Sequence, residues 1–181
     1  MTTTLEPTPT NTHTPSGHDA LLPPTEAYPW YSLPLDPQRL SRYLGTCLAH
    51  GVGYKLGAKA GDLTAIPPDY HNIDCSGWVR AAVAVATEGR VFLPDGSCVQ
   101  NDWCAAHGLK RSDYAACRLS DGLTRIGFIR PTGMHPVGHV YLARNGRTLE
   151  SFGGHGPGSR SINVAVLADE TTDVYVLAVR L

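Results

Sequence analysis

Charge is scarce in this chain, and neither sign dominates it. Lys and Arg number 15 against 16 Asp and Glu, for a formal net charge of −1. That balance offers no polybasic field for nucleic acid or for an anionic membrane surface. Long apolar runs are missing too, since none approaches the roughly 20 residues of a membrane-crossing helix. Neither nucleic-acid binding nor membrane insertion is therefore expected. The opening stretch, MTTTLEPTPTNTHTPSGHDALLPP, has neither the basic start nor the apolar centre of a secretory signal. Cysteine is sparse and odd in number: Cys47, Cys75, Cys98, Cys104 and Cys117. Complete internal pairing is excluded, and there is no CxxC. The spacing of Cys98, Cys104, His107 and Cys117 matches no common zinc finger, so no metal or other cofactor is expected. Cys47, Cys98, Cys104 and Cys117 read as small buried thiols. Two glycine-rich stretches, GVGYKLGAKAG and SFGGHGPGSR, lack both the GK[ST] ending and the G-x-G-x-x-G spacing of phosphate-binding loops.

What the chain does hold is a change of period partway along its 181 residues. Residues 1–25 are rich in Thr and Pro and read as a disordered tail. Residues 26–181 are long enough for a single domain with its own core. Tyr28, Trp30 and Tyr31 are expected to anchor the tail onto that core. LDPQRLSRYLGTCLAHG predicts a helix from about Pro37 to His50, stopped by Gly51, with Leu40, Tyr43, Leu44 and Cys47 on one face. A Gly- and Pro-punctuated loop follows, and then WVRAAVAVA predicts a buried helix ending near Gly89. VFLP reads as a short extended piece and 97–108 as a third helix closed by Gly108. Beyond that point the pattern alternates. LTRIGFIRP, GHVYLARNGRTLESFGG and TTDVYVLAVRL predict strands, and SINVAVLA a further one. Helices first and antiparallel strands afterward predict an α+β domain, with N-terminal helices packed on a C-terminal antiparallel sheet.

Two short stretches carry chemistry. In IDCSGWVR the Asp, Ser and Gly favour a helix start. Cys75 would then lie at a helix N-terminus, where free N–H groups and the helix dipole favour a thiolate. In GHVYLARNGRTLESF, Asn145-Gly146 predicts a two-residue hairpin turn. Pairing Arg144 with Arg147 and counting outward puts His139, Tyr141, Glu150 and Phe152 on one face, with Glu150 diagonal to His139. Acyl transfer by cysteine needs a thiolate, an imidazole that passes a proton to the leaving group, and a polar group that orients the imidazole. Cys75, His139 and Glu150 supply the three. His155, in the loop beyond the hairpin, is a competing orienter. Each residue alone also has a structural reading: a packed thiol, a strand histidine, a solvated carboxylate.

Tyr54 in GVGYKLGA, IDCSGWVR and GHVYLARNGRTLES together resemble the NlpC-type cell-wall peptidases, a branch of the papain-like cysteine enzymes. The resemblance covers roughly residues 38–155. It implies a papain-like fold with the nucleophile heading a helix packed on the sheet. It also implies cleavage of amide bonds in peptidoglycan stem peptides, with Cys75 as nucleophile and His139 as base. Asp74, Ser76 and Tyr54 would shape the substrate site. Many members have histidine where this chain has Glu150, and a tryptophan near the position of Leu56. The chain is also similar to secreted amidase effectors and to phage lysins. That similarity implies delivery by a specialised route or with a phage and, for an effector, pairing with an immunity protein. Two other outcomes fit the same residues: a transpeptidase or acyltransferase with an amine acceptor, and an inactive cell-wall binding module.

Overall fold

The computed structural model describes residues 35–132, 136–163 and 165–177. The expected tail and the Tyr28, Trp30 and Tyr31 anchor lie outside the described residues. The first helix, α1, spans Pro37–Ala49; Asp36 caps it by accepting from the N–H groups of Gln38 and Arg39 at 2.7 and 3.2 Å. It ends at Gly51, whose φ of 62° is costly for a residue with a Cβ. Leu40, Tyr43, Leu44 and Cys47 form its buried face. Helix α2, Cys75–Ala86, is apolar on nearly every side and lies in the centre of the core. Helix α3 spans Ser97–Ala106 and stops before Gly108. VFLP forms no regular strand; its Val91 and Leu93 are buried in the core.

The second half of the chain is a six-stranded sheet. Its strands are β1 (Arg111–Ser112), β2 (Thr124–Ile129), β3 (His139–Arg144), β4 (Arg147–Phe152), β5 (Gly156–Gly158) and β6 (Thr171–Leu177), in spatial order β1-β6-β2-β3-β4-β5. All the neighbouring strands pair antiparallel. Arg144 pairs with Arg147, Ala143 with Thr148 and Leu142 with Leu149, the register that the Asn145-Gly146 turn demands. Positive φ at both turn residues, 49° and 74°, is the signature of that turn type. Alternation along β3 then divides the core. Val140 and Leu142 join the cluster around α1 and α2, whereas Tyr141 and Ala143 join a second cluster with Ile162, Leu167 and Val174.

One expectation is overturned in this half. SINVAVLA is not a strand: Ile162 lies in a turn, and Ala165–Glu170 is a short helix, α4, that leads directly into β6. β5 takes the edge of β4 at Glu150–Phe152, and residues 160–162 take what remains beside Arg147 and Thr148 before the hairpin ends at Gly146. Thr148 N–H donates to the Arg160 carbonyl at 2.9 Å, and Ile162 N–H to the Gly146 carbonyl at 3.0 Å. An apolar run with no free edge left beside it packs as a helix instead, and Leu167 is buried in the second cluster.

Candidate active site

Cys75 is the first residue of α2. The preceding Asp74 is the N-cap, and its carboxylate accepts the Gly77 N–H at 2.7 Å. This leaves the thiol beside the first-turn N–H groups, which have no partner within the helix. Gly77 has a steric reason to be glycine: a Cβ there would lie 3.0 Å from the Ala58 carbonyl and 3.1 Å from the Asp74 carboxylate. The loop that carries Tyr54 can thus press onto the start of α2, and Asp74 N–H bonds the Ala58 carbonyl at 3.0 Å. Tyr54 is half-buried there; burial and then the nearby Cys75 and Asp74 push its phenol upward.

His139 opens β3, next to Gly138, where a Cβ would meet Ser97 Oγ at 2.9 Å and the Ile129 carbonyl at 3.1 Å. That close approach fixes where the strand begins. The imidazole is shared between two partners. Its Nε2 is 2.6 Å from Glu150 Oε2, and its ring also interacts with Cys75. Burial pulls the imidazole down, yet the Cys75 interaction and then Glu150 outweigh it and raise His139 to about 9. Tyr141, stacked at 6.4 Å between ring centroids, supports the imidazole along the strand.

Glu150 is fully buried and ionised. Burial pushes its carboxyl up, but bonds from His139 and Arg160 overcome this and bring it to about 2. Arg160 Nε donates to Oε1 at 2.8 Å and its Nη2 to Oε2 at 3.2 Å. The structure therefore brings Cys75, His139, Glu150 and Arg160 into one chain of contacts. His155 is placed elsewhere: it is exposed, and its ring lies against Phe152 at 4.8 Å.

Asp74 and Ser76 flank Cys75 but face a neighbour that the sequence reading missed. Lys59 Nζ lies 2.8 and 2.6 Å from the two Asp74 oxygens, 2.7 Å from Ser76 Oγ and 2.9 Å from Asp95 Oδ1. Burial pulls the ammonium down, but Asp74 and Asp95 reverse the sign and raise it. Arg160 and Lys59 carry no local motif, so pattern alone had nothing to find. The one available signal was chemical: a buried Glu150 requires a cation near it. Cys98 corrects another expectation. It is exposed, whereas Cys47, Cys104 and Cys117 are buried as expected. Position 98 falls on the outer side of the short helix α3, whose buried residues are Gln100, Asn101, Trp103 and Cys104.

No family model matches the sequence, and no curated protein does. Solved structures do match. One is described as similar to lipoprotein, NLP/P60 family, from Staphylococcus aureus, with 16% identity and a TM-score of 0.52, over 82% of this chain and 44% of that one. Another is an NLPC/P60 family protein from Bacillus cereus, with 17% identity and a TM-score of 0.53, over 81% of this chain and 42% of that one. The chain thus spans less than half the length of either. At these identities the likeness establishes the fold, with N-terminal helices against a C-terminal antiparallel sheet, as the sequence pattern predicts.

Proposed function

We propose that this chain, which has the NlpC/P60 papain-like fold, is a cysteine amidase or peptidase that hydrolyses amide bonds in peptidoglycan stem peptides. The observation that carries the reading is the contact chain from Cys75 at a helix N-terminus through His139 to the buried Glu150. A fully buried carboxylate bonded to a strand histidine is costly to maintain for packing alone. Beside a helix-start cysteine, it has a use.

In the proposed reaction the Cys75 sulfur attacks the amide carbonyl as a thiolate, forming the S–C bond. The developing oxyanion is received by the Cys75 and Ser76 N–H groups at the start of α2, since the Gly77 N–H is already taken by the Asp74 cap. His139 gives its proton to the departing amine as the C–N bond breaks, leaving a thioacyl intermediate. A water then attacks that intermediate while His139 takes its proton; the C–S bond breaks, the acid is released and Cys75 leaves as the thiolate, which restores the starting thiolate–imidazolium pair. Glu150 holds Nε2, so Nδ1 is the nitrogen left for the sulfur. Arg160 keeps Glu150 ionised when His139 is transiently neutral.

Mass spectrometry of defined muropeptides digested by the wild type and by Cys75→Ala tests the reading. A newly exposed carboxyl and amine at one stem-peptide bond, formed by the wild type and lost in the variant, is the expected result. Turnover persisting near the wild-type rate in Cys75→Ala would remove Cys75 from the role. Intact muropeptides with both proteins would remove the substrate class.

A further inference from the structure

The near-zero net charge conceals an uneven distribution. From Lys110 to Arg160 the chain carries eight basic residues against three acidic ones. All three carboxylates are already engaged. Asp121 takes two bonds from the Arg125 guanidinium at 3.1 and 2.5 Å, Glu150 lies between His139 and Arg160, and Asp113 accepts the Ala116 N–H at 2.7 Å. Arg118, Arg144 and Arg147 have no carboxylate partner among the described residues. These three surround the Asn145-Gly146 turn. Arg144 and Arg147 are direct partners across the hairpin, and the Gly146 N–H bonds the Cys117 carbonyl at 3.2 Å, which brings Arg118 alongside. Like charges directly opposite in a ladder destabilise it. Here neutral oxygens hold the two guanidiniums apart. Arg144 Nη1 donates to the Gly122 carbonyl and, at 3.3 Å, to Thr124 Oγ1 on the β2 side. Arg147 Nε and Nη2 donate to Ser159 Oγ and the Ser159 carbonyl, both at 2.9 Å, on the β5 side. Nε and Nη2 of Arg144 and Nη1 of Arg147 make no bond among the described residues, so their protons are available to an anion. Asp169 acts on Tyr114 from the same side as Arg118; counted against it, the surface still carries two uncompensated cations. Cations spread across the end of a sheet suit a linear polyanion better than one small ion. The neighbouring Tyr114 packs on the second core cluster and lies under Arg118 at 5.7 Å, which leaves no free ring face to stack a nucleobase.

We propose that the outer end of the β3–β4 hairpin is a docking surface for a linear phosphodiester polymer without bases, of the kind attached to bacterial glycan strands. The choice of polymer rests on the peptidoglycan reading of Cys75. Strand β3 is six residues long, so Arg144 lies about 17 Å from His139 at about 3.4 Å per residue. A polymer held at the turn would keep the cleft over the glycan to which it is bonded. Fluorescence anisotropy of a labelled oligomer of about ten glycerol phosphates, titrated with the full chain from about 25 to 200 mM salt, tests the assignment. Binding is expected to weaken with salt at a log–log slope of about −2, from three arginine contacts at about 0.7 each. The double variant Arg144→Gln/Arg147→Gln should bind at least tenfold more weakly at the lowest salt. Arg42→Gln, which removes an exposed arginine on α1, should stay within threefold of the wild type. No binding at the lowest salt, a slope shallower than about −1, an unchanged affinity in the double variant or an equal loss in Arg42→Gln overturns the proposal. So does an oligothymidylate with the same number of phosphates binding more than threefold tighter, which would mark a nucleic-acid site instead. If the double variant fails to fold, the wild-type slope and the oligothymidylate comparison still decide. Cleavage of muropeptides, which carry no phosphate polymer, is read separately. Oligomer binding without cleavage would sink the hydrolytic reading alone, and cleavage without oligomer binding would sink this assignment alone.

Discussion

Glu150 and His155 differ by the medium each sits in. Glu150 is wholly buried with its oxygens bonded to His139 and Arg160, while His155 faces solvent against Phe152. Glu150→Gln should therefore lower kcat by about a hundredfold, the lower end of the range for general acid–base groups, with little change in KM. His155→Ala should cost less than threefold in kcat. Steady-state kinetics on a fluorogenic stem-peptide amide would check the ranking, and the reverse order would move the orienter to the loop. Arg160→Met leaves the same carboxylate buried with one fewer partner. Because Arg160 is about a third exposed, a loss of about 2–3 kcal/mol, below the usual range for broken buried pairs, is expected from chemical denaturation. A loss under 0.5 kcal/mol would mean that water replaces the guanidinium at no cost.

The β3–β4 hairpin converts one local turn into the geometry of the site. A two-residue turn at Asn145-Gly146 sets the register, and a slip by one residue would send Glu150 to the opposite face from His139. Gly146 has φ of 74°, so Gly146→Ala should cost about 1 kcal/mol or slightly more by forcing a Cβ into the left-handed region. Denaturation would measure that cost, and kcat should fall with it if the ladder loosens. Unchanged stability would mean that the turn does not hold the register. The start of α2 is tied to the same hairpin, because Ser151 Oγ donates to the Ile73 carbonyl at 2.8 Å. The bond joins β4 to the residue before the Asp74 cap. Nucleophile and imidazole are thus positioned by elements that brace each other.

Across the whole molecule, the site makes folding depend on pH in a predictable direction. His139 is raised from 6.5 to about 9, so the stability it contributes is complete below pH 6.5 and is lost as pH rises through about 9. Glu150 is lowered from 4.5 to about 2, so its contribution is complete above pH 4.5 and is lost as pH falls through about 2. Stability should be greatest between those bounds, near pH 4.5–6.5, and decline on both sides. Thermal melts from pH 3 to 10 would show it, and His139→Gln should flatten the alkaline decline. Activity should fall on the alkaline side as His139 loses its proton, through about pH 9. A melting curve that kept rising above pH 7 would contradict the upward shift of His139.

The sequence by itself determined what is local. Helix starts and stops at Asp36, Gly51 and Asp74, the tight turn at Asn145-Gly146 and the alternation along β3 all depend on interactions within a few residues. From those, the placement of Cys75 at a helix start and of Glu150 diagonal to His139 could be counted. Only the tertiary structure decided which charges meet across loops. Lys59 reaches Asp74 from the loop before α2, and Arg160 reaches Glu150 from beyond β5. It also turned SINVAVLA into a turn and helix, because the β3–β4 hairpin ends at Gly146 just as the run reaches it and leaves no further edge to pair with. The physical reason is common to all three. Backbone periodicity is written into neighbouring residues, whereas partners for a buried charge and free edges of a sheet exist only after distant segments have packed.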